Sequence, residues 1–226
     1  MQRNGIMSHF ERLGYDVKNM QLYFERIEYS ITFSANGYSE TSTRAIFHPL
    51  KEFQQLFFAL VHFPAEEMKL LQFKGEIEGK ECEPSFTSMK NTIDHQYALS
   101  VSFKCKEKIK KDEDLTLKYQ YQLMDMTLNN KEKILGTLKQ IYGDNYITIA
   151  VTVANTVPIM EYKITAKYPG FKIRKSLKVI ADRVDVFGKP LSVKESEEIS
   201  HGYDDVTVYF SDMLPNTSYV LVNYLE

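Results

Sequence analysis

A two-residue rhythm of apolar side chains constrains this chain more than any motif in it. Between Tyr97 and Leu123 two runs alternate apolar and polar residues: Tyr97, Leu99, Val101, Phe103 and Cys105, then Leu115, Leu117, Tyr119, Tyr121 and Leu123. The polar stretch Lys110-Lys111-Asp112-Glu113-Asp114 separates them. A period of two places successive side chains on opposite faces of a strand, one face buried and one in water. The same plan closes the chain, with Val206, Val208 and Phe210, a break at Asp212-Met213-Leu214-Pro215-Asn216, and then Tyr219 to Val222. Each half therefore reads as ending in a hairpin of half-buried strands.

The remaining segments extend this pattern. Residues 1–19 are polar and irregular and read as a flexible lead-in or one short helix; Ser8 and Glu11 have the spacing of a capping box. Ile27, Tyr29, Ile31 and Phe33 share one face of a strand that meets Asn36-Gly37, a dipeptide that tolerates the positive φ of a hairpin turn. Ser39 to Phe47 reads as the returning strand, ended by Pro49. Leu50 to Phe63 fits a helix face or a strand; flanking strands favour the strand. Leu70 to Gly79 reads as a strand and Lys80 to Thr92 as a polar loop. Met124 to Gly143 breaks the alternation, with Ile134, Leu138 and Ile141 at helical spacing. Beyond it, Ile147 to Val153, Tyr162 to Ala166, Phe171 to Val179 and Val184 to Val186 read as strands. Pro169-Gly170 and Gly188-Lys189-Pro190 read as turns and Glu195 to Ser200 as an acidic loop.

Short strands at intervals of roughly 8–12 residues with few helices indicate a sandwich or barrel. The expected fold is all-β: two tandem antiparallel β-sandwich domains of immunoglobulin-like architecture, with at most one or two short helices. The expected boundaries are a lead-in at 1–19, one sandwich at 20–125, a linker at 126–144 with at most a short helix, and a second sandwich at 145–226.

Composition narrows the function. The net charge of −2 is evenly spread, which argues against nucleic-acid binding. The most apolar stretch, Leu56 to Phe63, is far shorter than the roughly 20 residues of a spanning helix, so no membrane span is expected. The N-terminal residues lack the apolar segment of a signal peptide, and a soluble, cytoplasmic protein is expected. Two cysteines, Cys82 and Cys105, are fewer than a disulfide-stapled secreted domain carries. Cys105 reads as a buried free thiol; a Cys82–Cys105 disulfide is the alternative.

A search for chemistry finds no site. Neither GxxxxGK[ST], GxGxxG nor GxSxG occurs. His9, His48, His62, His95 and His201 form no HExxH, and Cys82, His95 and Cys105 lack the close pairs typical of a structural zinc site. The acidic groups Glu76, Glu78, Glu81 and Glu83, Asp112 to Asp114, and Asp204 with Asp205 read as solvated turns rather than calcium loops. Lys104, Lys106, Lys108 and Lys110 alternate along one side of a strand, opposite Phe103, Cys105 and Ile109. Lys163, Lys167, Lys172, Arg174, Lys175, Lys178 and Arg183 make the second half locally basic. Both features read as charged outer faces, which also discourage edge pairing, ahead of an acidic-partner surface.

No catalytic, cofactor-binding or metal-ligating residue is therefore assigned, and no cofactor is expected. The expected function is a non-catalytic binding or regulatory module that recognises a protein partner through sandwich loops or sheet edges. A small-molecule sensor and an enzyme with an unfamiliar site are the alternatives.

Overall fold

The computed structural model describes residues 3–34, 36–64, 68–91, 96–125, 147–154, 156–184 and 190–226. Their order is α1 (Arg3–Arg12), a 3-10 turn (Val17–Asn19), β1 (Leu22–Phe33), β2 (Tyr38–Pro49), β3 (Phe53–Pro64), β4 (Met68–Ile77), β5 (Cys82–Asn91), β6 (Gln96–Ile109), β7 (Leu115–Asp125), β8 (Ile147–Ala154), β9 (Ile159–Lys167), β10 (Ile173–Val184), β11 (Pro190–Ile199), β12 (Asp205–Met213) and β13 (Ser218–Leu225). The fold is all-β and sandwich-like, as the alternation requires.

The strands form a six-stranded sheet ordered β12-β9-β1-β2-β7-β4, a four-stranded sheet ordered β11-β10-β13-β8, and a three-stranded sheet ordered β3-β6-β5. Both smaller sheets pack on the inner face of the six-stranded one. Phe86 of β5 lies 5.5 Å from the Phe73 ring and 5.3 Å from the Tyr121 ring. Phe210 of β12 meets Tyr219 of β13 edge-on at 5.5 Å. One hydrophobic cluster joins all three sheets, with Leu117, Ile164 and Val206 from the large sheet, Val101 and Phe103 from β6, and Ile149 and Leu221 from the four-stranded sheet. Gly75 in β4 is required by close approach: a Cβ there would stand 2.8 Å from the Phe103 ring.

Local turns follow their residues. Gly37 N donates to Ser34 O at 3.0 Å, and Gly37 takes the positive φ of 82° that closes the β1–β2 hairpin. Phe171 N donates to Tyr168 O across Pro169-Gly170, with Gly170 at φ 88° as a type II turn demands. Residues 53–64 are the strand that the flanking pattern favoured.

Several expectations are corrected. The paired runs at 97–123 and 206–222 are not hairpins. β6 pairs with β3 and β5 while β7 pairs with β2 and β4. Likewise β12 pairs with β9, and β13 with β10 and β8. Each connection arches from one layer to another, because alternation marks a buried face without saying whether the next strand lies beside it or across from it. The two halves do not hold separate cores among the described residues. β9 runs parallel to β1 over Phe24–Thr32, so strands from both sides of 126–144 share the six-stranded sheet. The 126–144 segment itself and the Gly188-Lys189 turn lie outside the described residues.

Two stretches read as loops are strands. β5 occupies most of 80–92, and β11 includes Glu195–Ile199. Both lie at sheet edges, where exposed polar side chains erase the apolar period. The lead-in is also structured: Ile6 and Phe10 of α1 pack with Val17, Met20 and Tyr23 in a second cluster against Met160 and Leu214.

Candidate functional site

The outer face of the six-stranded sheet carries the site. Inward residues such as Ile27, Ile31, Ala45, Leu117, Ile164 and Val208 are buried in the core. Their sequence neighbours must then point outward. Register aligns these into two rows across all six strands. One row runs Tyr209, Lys163, Glu28, Arg44, Lys118 and Glu76. The next runs Thr207, Thr165, Ser30, Ser42, Gln120 and Lys74. The face is hollow: a depression of about 690 Å³ is lined by residues of both rows, together with Tyr29, Thr43, Gly75 and Tyr119 from the row between them.

The charges on this face are unequally matched. Lys118 is bonded to Glu78 and lies 3.7 Å from Glu76. The hydrogen bond from Lys118 holds the Glu78 carboxyl below the usual carboxylate range, with Thr116 and the Lys118 and Arg44 charges adding to it. Lys163 stands 5.7 Å over the ring of Tyr209, itself 63% exposed. Thr165 and Thr207 hydroxyls meet at 3.3 Å. Arg44 is exposed and makes no ion pair among the described residues. The chemistry on offer is hydrogen bonding and charge recognition.

One end of this face is closed by α1. Tyr23, fully buried under the helix, stacks on His48 at 4.8 Å with 25° between the rings. His48 Nδ1 lies 2.7 Å from Asp114 Oδ1 and Nε2 lies 2.7 Å from Glu25 Oε2. Both ring nitrogens of His48 are thus engaged by carboxylates. The irregularity in β1 between Phe24 and Arg26 leaves Glu25 out of register, on the His48 side. Asp114 comes from the β6–β7 connection, so this cluster pins that arch to the sheet. The cluster contains no nucleophile and is read as structural.

The residues singled out in the sequence disperse. Cys82 and Cys105 face each other across β5 and β6 and form a disulfide, which corrects the free-thiol expectation. The pairing depends on the register of β5 against β6, which local alternation does not contain. The bridge also removes both thiols from any zinc site with His95, a residue outside the described set. His9 pairs with Asp212 at 2.7 Å, and His201 Nδ1 lies 2.7 Å from Gly202 O. The side chain of His62 lies outside the described residues. Lys104, Lys106, Lys108 and Lys110 are exposed as expected, with Lys106 on Glu81 and Lys108 3.6 Å from Glu52. In the second half, Arg174 pairs with Glu226, Lys175 with Glu198, and Lys178 stands over Phe210.

The acidic groups separate too. Glu76 and Glu78 serve Lys118, Glu113 serves Lys80, and Asp114 serves His48. Among the described residues no group of three or more His, Cys, Asp or Glu side chains is placed to hold a metal ion. Arg44, Glu28, Lys74 and Lys118 drew no notice in the sequence. Each is one polar residue in an ordinary alternation, and only register sets them side by side.

No protein-family model matches the chain, and no curated protein matches it. Among solved structures, a Parabacteroides distasonis protein is similar at 10% identity and TM-score 0.39, over 90% of this chain and 40% of that one. An M1 zinc metallopeptidase from Deinococcus radiodurans is similar at 7% identity and TM-score 0.38, over 89% of this chain and 42% of that one. The chain thus spans about two fifths of the length of these structures. Likenesses this distant do not bear on what the chain does.

Proposed function

We propose that this chain is a non-catalytic recognition module that holds a segment of a protein partner on the outer face of its six-stranded sheet. The surface lies on the sheet face, not on the loops and edges expected from the sequence. The observation that carries the reading is the depression of about 690 Å³ crossed by two polar rows, with the exposed guanidinium of Arg44, which makes no ion pair among the described residues, in one of them. Away from the end that α1 covers, the polar side chains lining the depression, among them Ser30, Ser42 and Gln120, can bond a partner.

The Cys82–Cys105 bridge supports a working compartment where disulfides persist, in place of the cytoplasm expected from the sequence. Among the described residues, no helix is long and apolar enough to cross a membrane.

The test compares affinity capture by the native chain, by a Ser42→Trp/Gln120→Trp variant that fills the depression, and by a Lys104→Glu/Lys106→Glu variant altered on β6. A partner retained by the native and β6-variant chains and lost by the filled variant supports the reading. A partner retained equally by all three removes the outer face from recognition. A second reading, a small polar ligand in the same depression, is favoured by its volume, which lies in the range of small-molecule sites. A metabolite that raises the melting temperature of the native chain and not of the filled variant would establish it.

A further inference from the structure

We infer that the segment taken up by the outer face is acidic, with Arg44 as its central anchor; this rests on the recognition role proposed above. The depression is lined by four basic side chains, Arg44, Lys74, Lys118 and Lys163, and two carboxylates, Glu28 and Glu76. That cationic excess lies on a chain whose net charge is −2, so it is a local feature and not a reflection of composition. Lys118 is committed to Glu78 and Glu76, and Lys163 leans over Tyr209. Arg44 stays exposed, with Glu28 on one side in register and Lys118 on the other. A guanidinium presents paired donors that match a carboxylate with two parallel hydrogen bonds, geometry a lysine does not offer.

The spacing selects an extended occupant over a single small anion. Arg44 is on β2; Lys163 on β9 is two strands away in one direction, and Lys74 on β4 is two strands away in the other. At about 4.8 Å per strand, each lies roughly 10 Å or a little more from Arg44. Carboxylates three or four residues apart on an extended chain, at about 3.3 Å per residue, reach those distances. Ser30, Ser42, Thr165 and Gln120 lie between the charges and can bond the backbone of such a segment. A continuous polyphosphate fits less well, because Glu28 and Glu76 would repel it.

The test uses the full chain and fluorescein-labelled peptides of roughly ten residues, one alternating Glu and Ser and one alternating Gln and Ser, with an oligothymidine of similar length as a third probe. Affinity is read by anisotropy and the binding surface by amide chemical-shift changes. The expected result is that the Glu peptide shifts outer-face amides and binds at least about tenfold tighter than the Gln peptide. Raising ionic strength from about 0.05 M to about 0.5 M should weaken it about tenfold, and Arg44→Glu should do the same while Lys104→Glu does not. An unchanged melting curve for Arg44→Glu confirms that the exposed substitution leaves the fold intact. Equal binding of both peptides on the outer face overturns the acidic preference and leaves the recognition role standing. Shifts with neither peptide overturn both. Tighter binding of the oligothymidine overturns the protein-segment assignment.

Discussion

Replacing Cys82 and Cys105 together by alanine is expected to cost about 4 kcal/mol of stability. The cysteines are separated by 23 residues in sequence, and their bond ties edge strand β5 to central strand β6. In the chain-entropy description, cross-linking a loop of that length removes about 11 cal/mol/K from the unfolded ensemble, or about 3 kcal/mol at room temperature. Cys105 is also only 3% exposed and packs in the main core. Trimming its sulfur adds on the order of 1 kcal/mol. For a chain of this size, each kcal/mol moves the melting temperature by about 2–4 °C, so the double variant should melt about 8–16 °C lower.

The single variants give an internal control. Each loses the whole loop-closure contribution, so either one should carry most of the loss and the second substitution should add about 1 kcal/mol or less, a strongly non-additive cycle. Calorimetry reads the melting shift, and thiol titration of the unfolded, unreduced protein should find no free thiol. Two titratable thiols would show that the bridge does not form. A double variant that melts within about 2 °C of the native chain would refute the entropic account, since no loop constraint of the calculated size could then act on the unfolded state.

Other features allow equally direct checks. Gly75→Ala should destabilise by about 1–3 kcal/mol, because its new methyl group meets the Phe103 ring at 2.8 Å; an unchanged denaturant midpoint would show that β4 and β6 can separate freely. His48→Ala should cost about 2 kcal/mol by losing both carboxylate contacts and the Tyr23 stack, a figure held down because Glu25 and Asp114 are well exposed and can rehydrate. Loss of cooperativity in the 110–114 region by hydrogen exchange should accompany it. Burial pushes the hydroxyls of Tyr119, Tyr121, Tyr162 and Tyr168 upward. The unfolded chain ionises these groups near pH 10 while the folded chain keeps the protons. Stability should therefore fall as pH rises above about 10, with the last part of the phenolate absorbance appearing together with unfolding. Ionisation of all fifteen tyrosines ahead of unfolding would place those rings in water. Residues 1–125 expressed alone should fail to melt cooperatively, because β1 loses its eight-residue pairing with β9; a sharp transition would restore the tandem-domain view.

How much was legible from residue order divides along the range of the forces involved. Alternation is local, so the strand character of Tyr97 to Cys105, Leu115 to Leu123, Ile27 to Phe33 and Tyr162 to Ala166 is open to reading, as are the turns at Gly37 and Gly170, where φ must be positive. The layered all-β body follows from those faces needing cover. What the alternation leaves open is the neighbour: a half-buried strand is equally content beside the next one or across from it, and the β6–β7 and β12–β13 connections took the second course. Strands β5 and β11 escaped notice because an edge strand can be stabilised by backbone pairing on one side while its side chains stay polar.

The chain order determined by itself which faces are apolar, where the backbone must turn, and that no helix-rich core could form. The union of both halves in one sheet, the Cys82–Cys105 bridge and the alignment of Arg44 with Lys118, Lys163 and Glu28 were decided only in three dimensions. All of them depend on strand register between residues distant in sequence. Register is set by how three sheets fill one interior, a collective packing requirement that no single stretch of residues contains.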